Sequence, residues 1–266
     1  MYYYIYDSFL SDKKYERVIA TVETRLTDLG ISGKIGRLTP FTNARGLIRD
    51  EVRRGVQTIV VVGNDETVAK VVGGIDDAKI TLGFIPIGHG TMIARSLGIP
   101  EGEEACDVLS RRVTQKIDLG SVNGHLFLSQ VRMPGGKVTI ESEGKFRITS
   151  MVEDCEIIVS NMRLSEEGVV AESGKKASES TGYSVGDPMD GWLDALITSK
   201  SSSLLSRFRG LSGIERSVIP TRRLSLTSEE PIAIEADGRH FSANVVSIEI
   251  APDRLKVITG RERVFA

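Results

Sequence analysis

The stretch VVVGNDETVAKVVGGI, Val60–Ile75, decides the fold, because a run of β-branched residues ends at a glycine and a polar turn leads into a helical pattern. The run Thr58–Val62 is continuously apolar, which is typical of a strand buried on both faces of a parallel sheet. The polar turn that follows stands where an α/β protein places a phosphate-binding loop. Such loops favour glycine, whereas Asn64 and Glu66 occupy this one.

The same alternation of strand and helix extends through the N-terminal part of the chain. The predicted strands are Tyr2–Tyr6, Ile31–Leu38, Thr58–Val62 and Ile80–Ile85. Helical patterns separate them, with Ser11 as the predicted cap of the first helix and Thr42 or Asn43 as that of the second. Strands that alternate with helices predict a doubly wound, mostly parallel sheet.

From about residue 116 the pattern changes to consecutive strand-like runs. They are Lys116–Leu119, His125–Arg132, Lys137–Glu141, Phe146–Ser150, Glu156–Ser160, Trp192–Thr198, Arg223–Thr227, Pro231–Glu235, Phe241–Ile250 and Lys256–Thr259. Asn123-Gly124 and Asp237-Gly238 are hairpin turn signals. We therefore predict an α/β nucleotide-binding domain over residues 1–117 and an all-β, antiparallel, sandwich-like substrate or lid domain over 118–254. The tail from about 255 to 266 is a candidate to return to the first domain.

Composition excludes several classes of function. The 266 residues carry a net charge of −2, which gives no general attraction to nucleic acid. The sequence shows neither a signal peptide nor a transmembrane run, so we expect a cytoplasmic protein with free thiols.

Two segments of the second half lack a clear strand pattern. Glu166–Gly186 is a candidate mobile loop, and Ser201–Gly213 is a candidate helix or connector. Within the latter, the apolar and basic residues of Leu204–Gly210 leave transient contact with a membrane surface open, although a solvated connector is favoured.

Two glycine-containing loops follow strand ends: Gly63-Asn64-Asp65-Glu66-Thr67 after the third predicted strand and Pro86-Ile87-Gly88-His89-Gly90-Thr91 after the fourth. Their order resembles the diacylglycerol kinase catalytic-domain family. That family includes bacterial lipid kinases and sphingosine kinases, and it is more distantly related to NAD kinases. In the family's Gly-Gly-Asp-Gly-Thr loop the matching residues are Gly63, Asp65 and Thr67. In its Pro-x-Gly-Thr-Gly-Asn-Asp-x-Ala-Arg segment they are Pro86, Gly88, Gly90, Ala94 and Arg95.

The resemblance extends into the second half of the chain. KIDLG, Lys116–Gly120, is similar to the family's entry into its β domain. IIVSN, Ile157–Asn161, and DPMDGWLDALI, Asp187–Ile197, resemble signatures of that domain. IEADGRHF, Ile234–Phe241, resembles its Asp-Gly-Glu segment.

The resemblance implies transfer of the γ-phosphate of ATP to a lipid hydroxyl, with Mg²⁺. The nucleotide-binding residues that it implies are Asp7, Thr39, Gly63, Asn64, Asp65, Glu66, Thr67, Gly88, His89, Gly90 and Thr91. It assigns Asp65 and Asp118 to the metal and Asp237 to the role of general base on the acceptor hydroxyl.

Several residues depart from the family's pattern at the implied site. They are Asn64 and Glu66 in place of glycines, His89 in place of Thr, Thr91 and Met92 in place of Asn-Asp, and Arg239 in place of Glu. Glu66 alone would repel a polyphosphate by about 3 kcal/mol before screening. Two interpretations stay open: a working lipid kinase, or an inactive member that acts as a nucleotide or lipid sensor or as an interaction module. A non-lipid hydroxyl acceptor and a homodimer also stay open.

Overall fold

The computed structural model describes residues 1–39, 41–75, 80–136, 138–143, 146–150, 155–162, 186–200, 214–251 and 255–265. The chain forms two compact units, one containing Met1–Asp118 and Asp253–Ala266, the other Leu119–Met162 and Ser184–Pro252. The predicted loop up to residue 185, the connector Ser201–Gly213 and its segment Leu204–Gly210 lie outside the described residues.

The first unit is built on a six-stranded sheet. Its strands, numbered in chain order, are β1 Tyr2–Asp7, β2 Lys34–Leu38, β3 Thr58–Gly63, β4 Thr81–Pro86, β5 Thr114–Ile117 and β16 Leu255–Ile258. Its helices are α1 Glu16–Asp28, α2 Ala44–Arg53, α3 Asp65–Val72, α4 Met92–Ser96 and α5 Glu104–Arg111. The strand order is β2-β1-β3-β4-β16-β5, and only β5 runs antiparallel to its neighbour. This parallel-dominated sheet confirms the predicted α/β fold class.

The centre of the sheet explains where the functional loops lie. All six residues of β1 and all six of β3 are buried, as expected for strands covered on both faces. Because β1, β2, β3 and β4 are mutually parallel, their carboxyl ends lie at one edge of the sheet. That edge is where open α/β sheets bind ligands.

The first helix starts later than the sequence predicts. Two 3₁₀ turns, Ser8–Ser11 and Lys13–Tyr15, precede α1, so the prediction of Ser11 as its cap is wrong. The side chain of Asp12 instead accepts a hydrogen bond from the Lys14 amide, at 3.3 Å. Asn43 does cap α2, as one of the two predicted alternatives.

The second unit is antiparallel throughout its described strands, which confirms the predicted all-β class. They are β6 Gly120–Val122, β7 His125–Phe127, β8 Gln130–Pro134, β9 Val138–Ser142, β10 Phe146–Ser150, β11 Cys155–Ser160, β12 Leu193–Lys200, β13 Ile214–Thr221, β14 Arg223–Ala236 and β15 Arg239–Ile250. The sheet order is β13-β12-β11-β8-β14-β15-β6-β7, with β9 pairing to β14 and β10 to β9.

One strand of this unit differs from the prediction. Arg223–Thr227 and Pro231–Glu235 belong to the single strand β14, whose pairing with β15 shifts register between Thr227 and Ile232. The polar residues between the two runs therefore form an irregularity within a strand instead of a loop. Both predicted hairpin turns are present, with positive φ at Asn123 and Asp237.

No helix in the described part of the chain is both long and apolar enough to span a bilayer.

Candidate functional site

Asp65 joins the loop after β3 to the loop after β4. Its backbone N–H donates to the carbonyl of Gly90 at 2.7 Å. Its carboxylate accepts from the amides of Met92, at 2.9 Å, and Ile93, at 3.1 Å. A carboxylate that accepts from the first amides of a helix satisfies donors which otherwise lack partners. The side chain assigned to the metal by resemblance therefore holds the start of α4.

The turn between β3 and α3 is a reciprocal capping box. The Asn64 side chain accepts from the Thr67 amide at 3.2 Å, and the Thr67 hydroxyl accepts from the Asn64 amide at 3.2 Å. Thr67 is completely buried, so its hydroxyl faces protein atoms. A side chain at Gly63, whose φ is +154°, would collide with Thr67. Asn64 in place of glycine therefore supplies a helix cap.

Asp7 is buried at the end of β1, directly beneath this turn. Its carboxylate lies 3.0 Å from the Thr67 hydroxyl, 3.1 Å from the Lys70 ammonium and 3.1 Å from the Ser8 hydroxyl. Burial raises the pKa of Asp7, but the hydrogen bonds and charge of Lys70, with those of Thr67 and Ser8, outweigh it and hold the pKa below its usual value. The ionised carboxylate thus ties β1 to α3.

The loop after β4 presents open backbone donors. Gly88 and Gly90 have φ values of +101° and +74°, which favour glycine. In the described part of the chain, the amides of Gly88, His89 and Gly90 donate no hydrogen bond. Successive N–H groups in such a turn form a concave site for anions. Thr91 is buried, and its hydroxyl donates a hydrogen bond to the Glu101 carboxylate at 2.7 Å, so this side chain is already engaged within the protein.

A pocket of about 500 Å³ opens beside these loops. Its lining residues are Ser8, Phe9, Asp12, Lys14, Tyr15, Asn64, Glu66 and His89. The rings of Phe9 and Tyr15 pack edge to face with centroids 5.3 Å apart, and the Lys14 ammonium lies 4.9 Å from the Tyr15 centroid. Phe9 also covers Gly88, because a β-carbon at Gly88 would lie 3.1 Å from its ring.

The structure brings together three of the four segments implied for the nucleotide: the end of β1 and the loops after β3 and β4. Thr39 directly follows β2 at the same edge, but it is exposed and does not line the pocket. Its hydroxyl lies 2.7 Å from that of Thr42. Asp118 is buried and also does not line the pocket.

Sequence reasoning missed the aromatic and charged wall after β1, formed by Phe9, Asp12, Lys14 and Tyr15. The available signal was position, because these residues directly follow the carboxyl end of a buried strand. It also missed Lys70, the charge partner of Asp7.

The residues implied for Mg²⁺ do not form a metal cluster. Among the described residues, no group of three or more His, Cys, Asp or Glu side chains is placed to hold an ion. Both carboxylate oxygens of Asp65 accept backbone hydrogen bonds, and those of Asp7 accept side-chain bonds. The described residues therefore do not fit a resident Mg²⁺ ion held by the protein alone.

In the second unit, Asp237 occupies a closed turn at the end of β14. Its carboxylate accepts from the amides of Leu128 at 2.6 Å, Ser129 at 3.1 Å and Gln130 at 3.0 Å, and from the Ser129 hydroxyl. Burial raises the pKa of Asp237, and the bonds from Ser129, Gln130 and Leu128 oppose that rise. The carboxylate implied as general base is thus almost fully hydrogen-bonded within the protein.

Solved structures define the class of fold. A diacylglycerol kinase from Bacillus anthracis superimposes with a TM-score of 0.72 at 16% identity, covering 99% of this chain and 98% of that one. An NAD kinase from Archaeoglobus fulgidus, solved in complex with ATP, superimposes with a TM-score of 0.58 at 14% identity and covers 99% and 95%. The chain therefore has the fold shared by diacylglycerol and NAD kinases.

Sequence comparison finds similarity to the same class. Residues 2–122 match the model of the diacylglycerol kinase catalytic domain, so over this segment the chain is similar to that family. A diacylglycerol kinase of Bacillus subtilis is 30% identical over 139 residues, which span 51% of this chain but only 45% of that protein. A Streptococcus pneumoniae protein classed with the lipid kinases is 24% identical over 277 residues, covering 93% of this chain and 90% of its own length.

Asp65→Ala should lower the free energy of unfolding by about 3 kcal/mol, because it leaves two backbone donors of α4 without their charged acceptor. Asp65→Asn keeps one acceptor oxygen and should lose roughly half as much. The exposed neighbour provides the control, since Glu66→Ala should stay within about 0.5 kcal/mol of the parent. Urea unfolding measures all three variants. Equal stability of the Ala variants at 65 and 66 would contradict the bridging role of Asp65.

Proposed function

We propose that this protein binds ATP in the pocket at the carboxyl edge of the first sheet and transfers its γ-phosphate to a lipid hydroxyl. The observation that carries the proposal is the row of open amides at Gly88, His89 and Gly90 beside that pocket. Backbone donors in a glycine turn suit phosphate oxygens, which are strong acceptors.

The lining residues support a nucleotide as the ligand. Phe9 and Tyr15 offer an aromatic face for a base, and Lys14 and His89 offer donors for phosphate oxygens. The names of the relatives support the same class: diacylglycerol kinase for the sequence match, and an ATP complex for the NAD kinase structure. Phosphoryl transfer relies mainly on positioning and charge stabilisation, which open amides and a lysine can supply.

The proposal includes no step through Mg²⁺, since the described residues do not fit a protein-held ion. On the acceptor side, Asp237 is the candidate base by family resemblance. The raised pKa of Asp237 favours proton acceptance. Before Asp237 can act as a base, however, the amides of the Leu128–Gln130 turn must release one of its carboxylate oxygens.

A second candidate function is nucleotide binding without transfer. The observation that favours it is that the carboxylates of Asp65 and Asp237, implied for the metal and for the base, both accept hydrogen bonds from backbone amides. Incubation with labelled ATP and diacylglycerol or sphingoid lipids separates the candidates. Transfer that is lost in a folded Asp237→Asn variant and kept in Ser129→Ala supports the kinase. Binding of ATP without transfer to any acceptor leaves the second candidate, and absence of binding overturns both.

Lys14→Ala should weaken ATP binding about fivefold, because it removes an exposed charge of the pocket wall worth roughly 1 kcal/mol. Its neighbour Lys13 is exposed and outside the lining, so Lys13→Ala should leave the affinity unchanged. Thermal unfolding with ATP measures the effect, since ligand at 100 times its Kd stabilises the fold by about 2.7 kcal/mol. Equal loss in both lysine variants would exclude a specific role for Lys14.

Glu66→Gln should tighten ATP binding roughly threefold, because it removes a screened negative charge from the wall of the same pocket. Glu104→Gln makes the same charge change at an exposed site on α5 and should have no effect. Isothermal titration compares the two variants with the parent. Unchanged or weaker binding by Glu66→Gln would show that this carboxylate does not face the polyphosphate.

A further inference from the structure

Helix α2 carries a stripe of exposed arginines. Arg45, Arg49 and Arg53 follow one another at intervals of four residues, and all three are exposed. Residues four apart lie on the same side of a helix, so the three guanidinium groups form one row. The apolar side of α2 adjoins this row and includes the buried Ile48.

An aromatic ring stands at the start of this row. Phe41 is 97% exposed and lies two residues before Asn43, the cap of α2. A single exposed apolar residue is ordinary on a protein surface. An exposed aromatic beside a row of basic residues is the combination that binds at the boundary between lipid headgroups and acyl chains.

A groove adjoins the same arginines. It has a volume of about 170 Å³, and its lining residues are Ile48, Arg49, Val52, Arg53, Gly74, Ile75 and Ile80. The lining combines apolar side chains with two arginines of the stripe. This composition suits an amphiphile with a negative headgroup.

The exposed arginines of α2 outnumber its exposed acids by three to one. Glu51 is buried and bonded to Lys34 and to Arg54, the latter at 2.6 Å. Asp50 is the exposed acid of the helix. Docking requires exposed guanidinium groups, which can keep hydrogen bonds within the protein while their outer faces meet a negatively charged surface.

We propose that the α2 surface, formed by Phe41, Arg45, Arg49 and Arg53, docks onto membranes that contain anionic phospholipid. The arginines contact lipid phosphates, and the Phe41 ring inserts at the level of the headgroups. Arginine suits this task because its planar fork binds phosphate through two hydrogen bonds. The proposal does not depend on phosphoryl transfer and would stand for a protein that binds a nucleotide only.

Co-sedimentation of the full chain with vesicles tests the proposal. Vesicles of phosphatidylcholine mixed with phosphatidylglycerol should bind the protein, those of phosphatidylcholine alone should not, and added salt should weaken binding. Arg49→Gln with Arg53→Gln should reduce vesicle affinity about fivefold for each arginine removed. Phe41→Ser should reduce it roughly tenfold.

Matched controls carry the same chemical change elsewhere. Arg17→Gln with Arg111→Gln removes two exposed arginines from α1 and α5, and Val245→Ser removes an apolar side chain that is 58% exposed. Both should bind vesicles like the parent. Equal binding to neutral and anionic vesicles, or equal losses in test and control variants, would overturn the proposal. So would a Phe41→Ser variant that keeps vesicle binding but loses stabilisation by ATP, because Phe41 would then belong to the nucleotide pocket.

Discussion

The contact on which the rest of the site depends is the one between Asp65 and the start of α4. One residue donates its amide to Gly90 and accepts the amides of Met92 and Ile93. These three bonds fix the loop after β4 against the loop after β3. The amides of Gly88, His89 and Gly90 in the intervening turn donate to no acceptor among the described residues, which leaves them available for the phosphate binding that we propose.

Two buried carboxylates illustrate how environment decides the role of a side chain. Asp7 has a lysine beside it, and its pKa falls below the usual value. Asp237 has only neutral donors around it among the described residues, and burial raises its pKa. The first is a fixed negative charge that anchors α3 to β1. The second stabilises the Leu128–Gln130 turn and remains the better candidate for accepting a proton.

The fold was largely predictable from the sequence, because buried parallel strands and amphipathic helices leave periodic patterns in it. Val60–Ile75 was correctly divided into a strand, a turn and a helix. The prediction of Ser11 as a helix cap was wrong because residue type alone does not reveal that two 3₁₀ turns precede α1. The β14 irregularity was missed for a related reason, since a polar interval looks the same in a loop and in a shifted strand.

The site was less predictable than the fold. The sequence singled out both loops, but the partners of Asp65 and Thr67 are set by the tertiary structure, which brings amides and carboxylates together across tens of residues. The structure also gives one departure from the family's pattern a structural explanation. Asn64 completes a capping box with Thr67, so it is a structural solution to the loss of glycine rather than a defect in the loop.

Phosphate binding by the open amides of the loop after β4 is tested most directly by an amide-resolved NMR titration of the labelled protein with ATP. We expect the resonances of Gly88, His89 and Gly90 to shift together and to saturate with one Kd. The amides of Met92 and Ile93, already bonded to Asp65, should shift much less. Saturating ATP that leaves the three loop amides unchanged would show that this loop does not bind the phosphates.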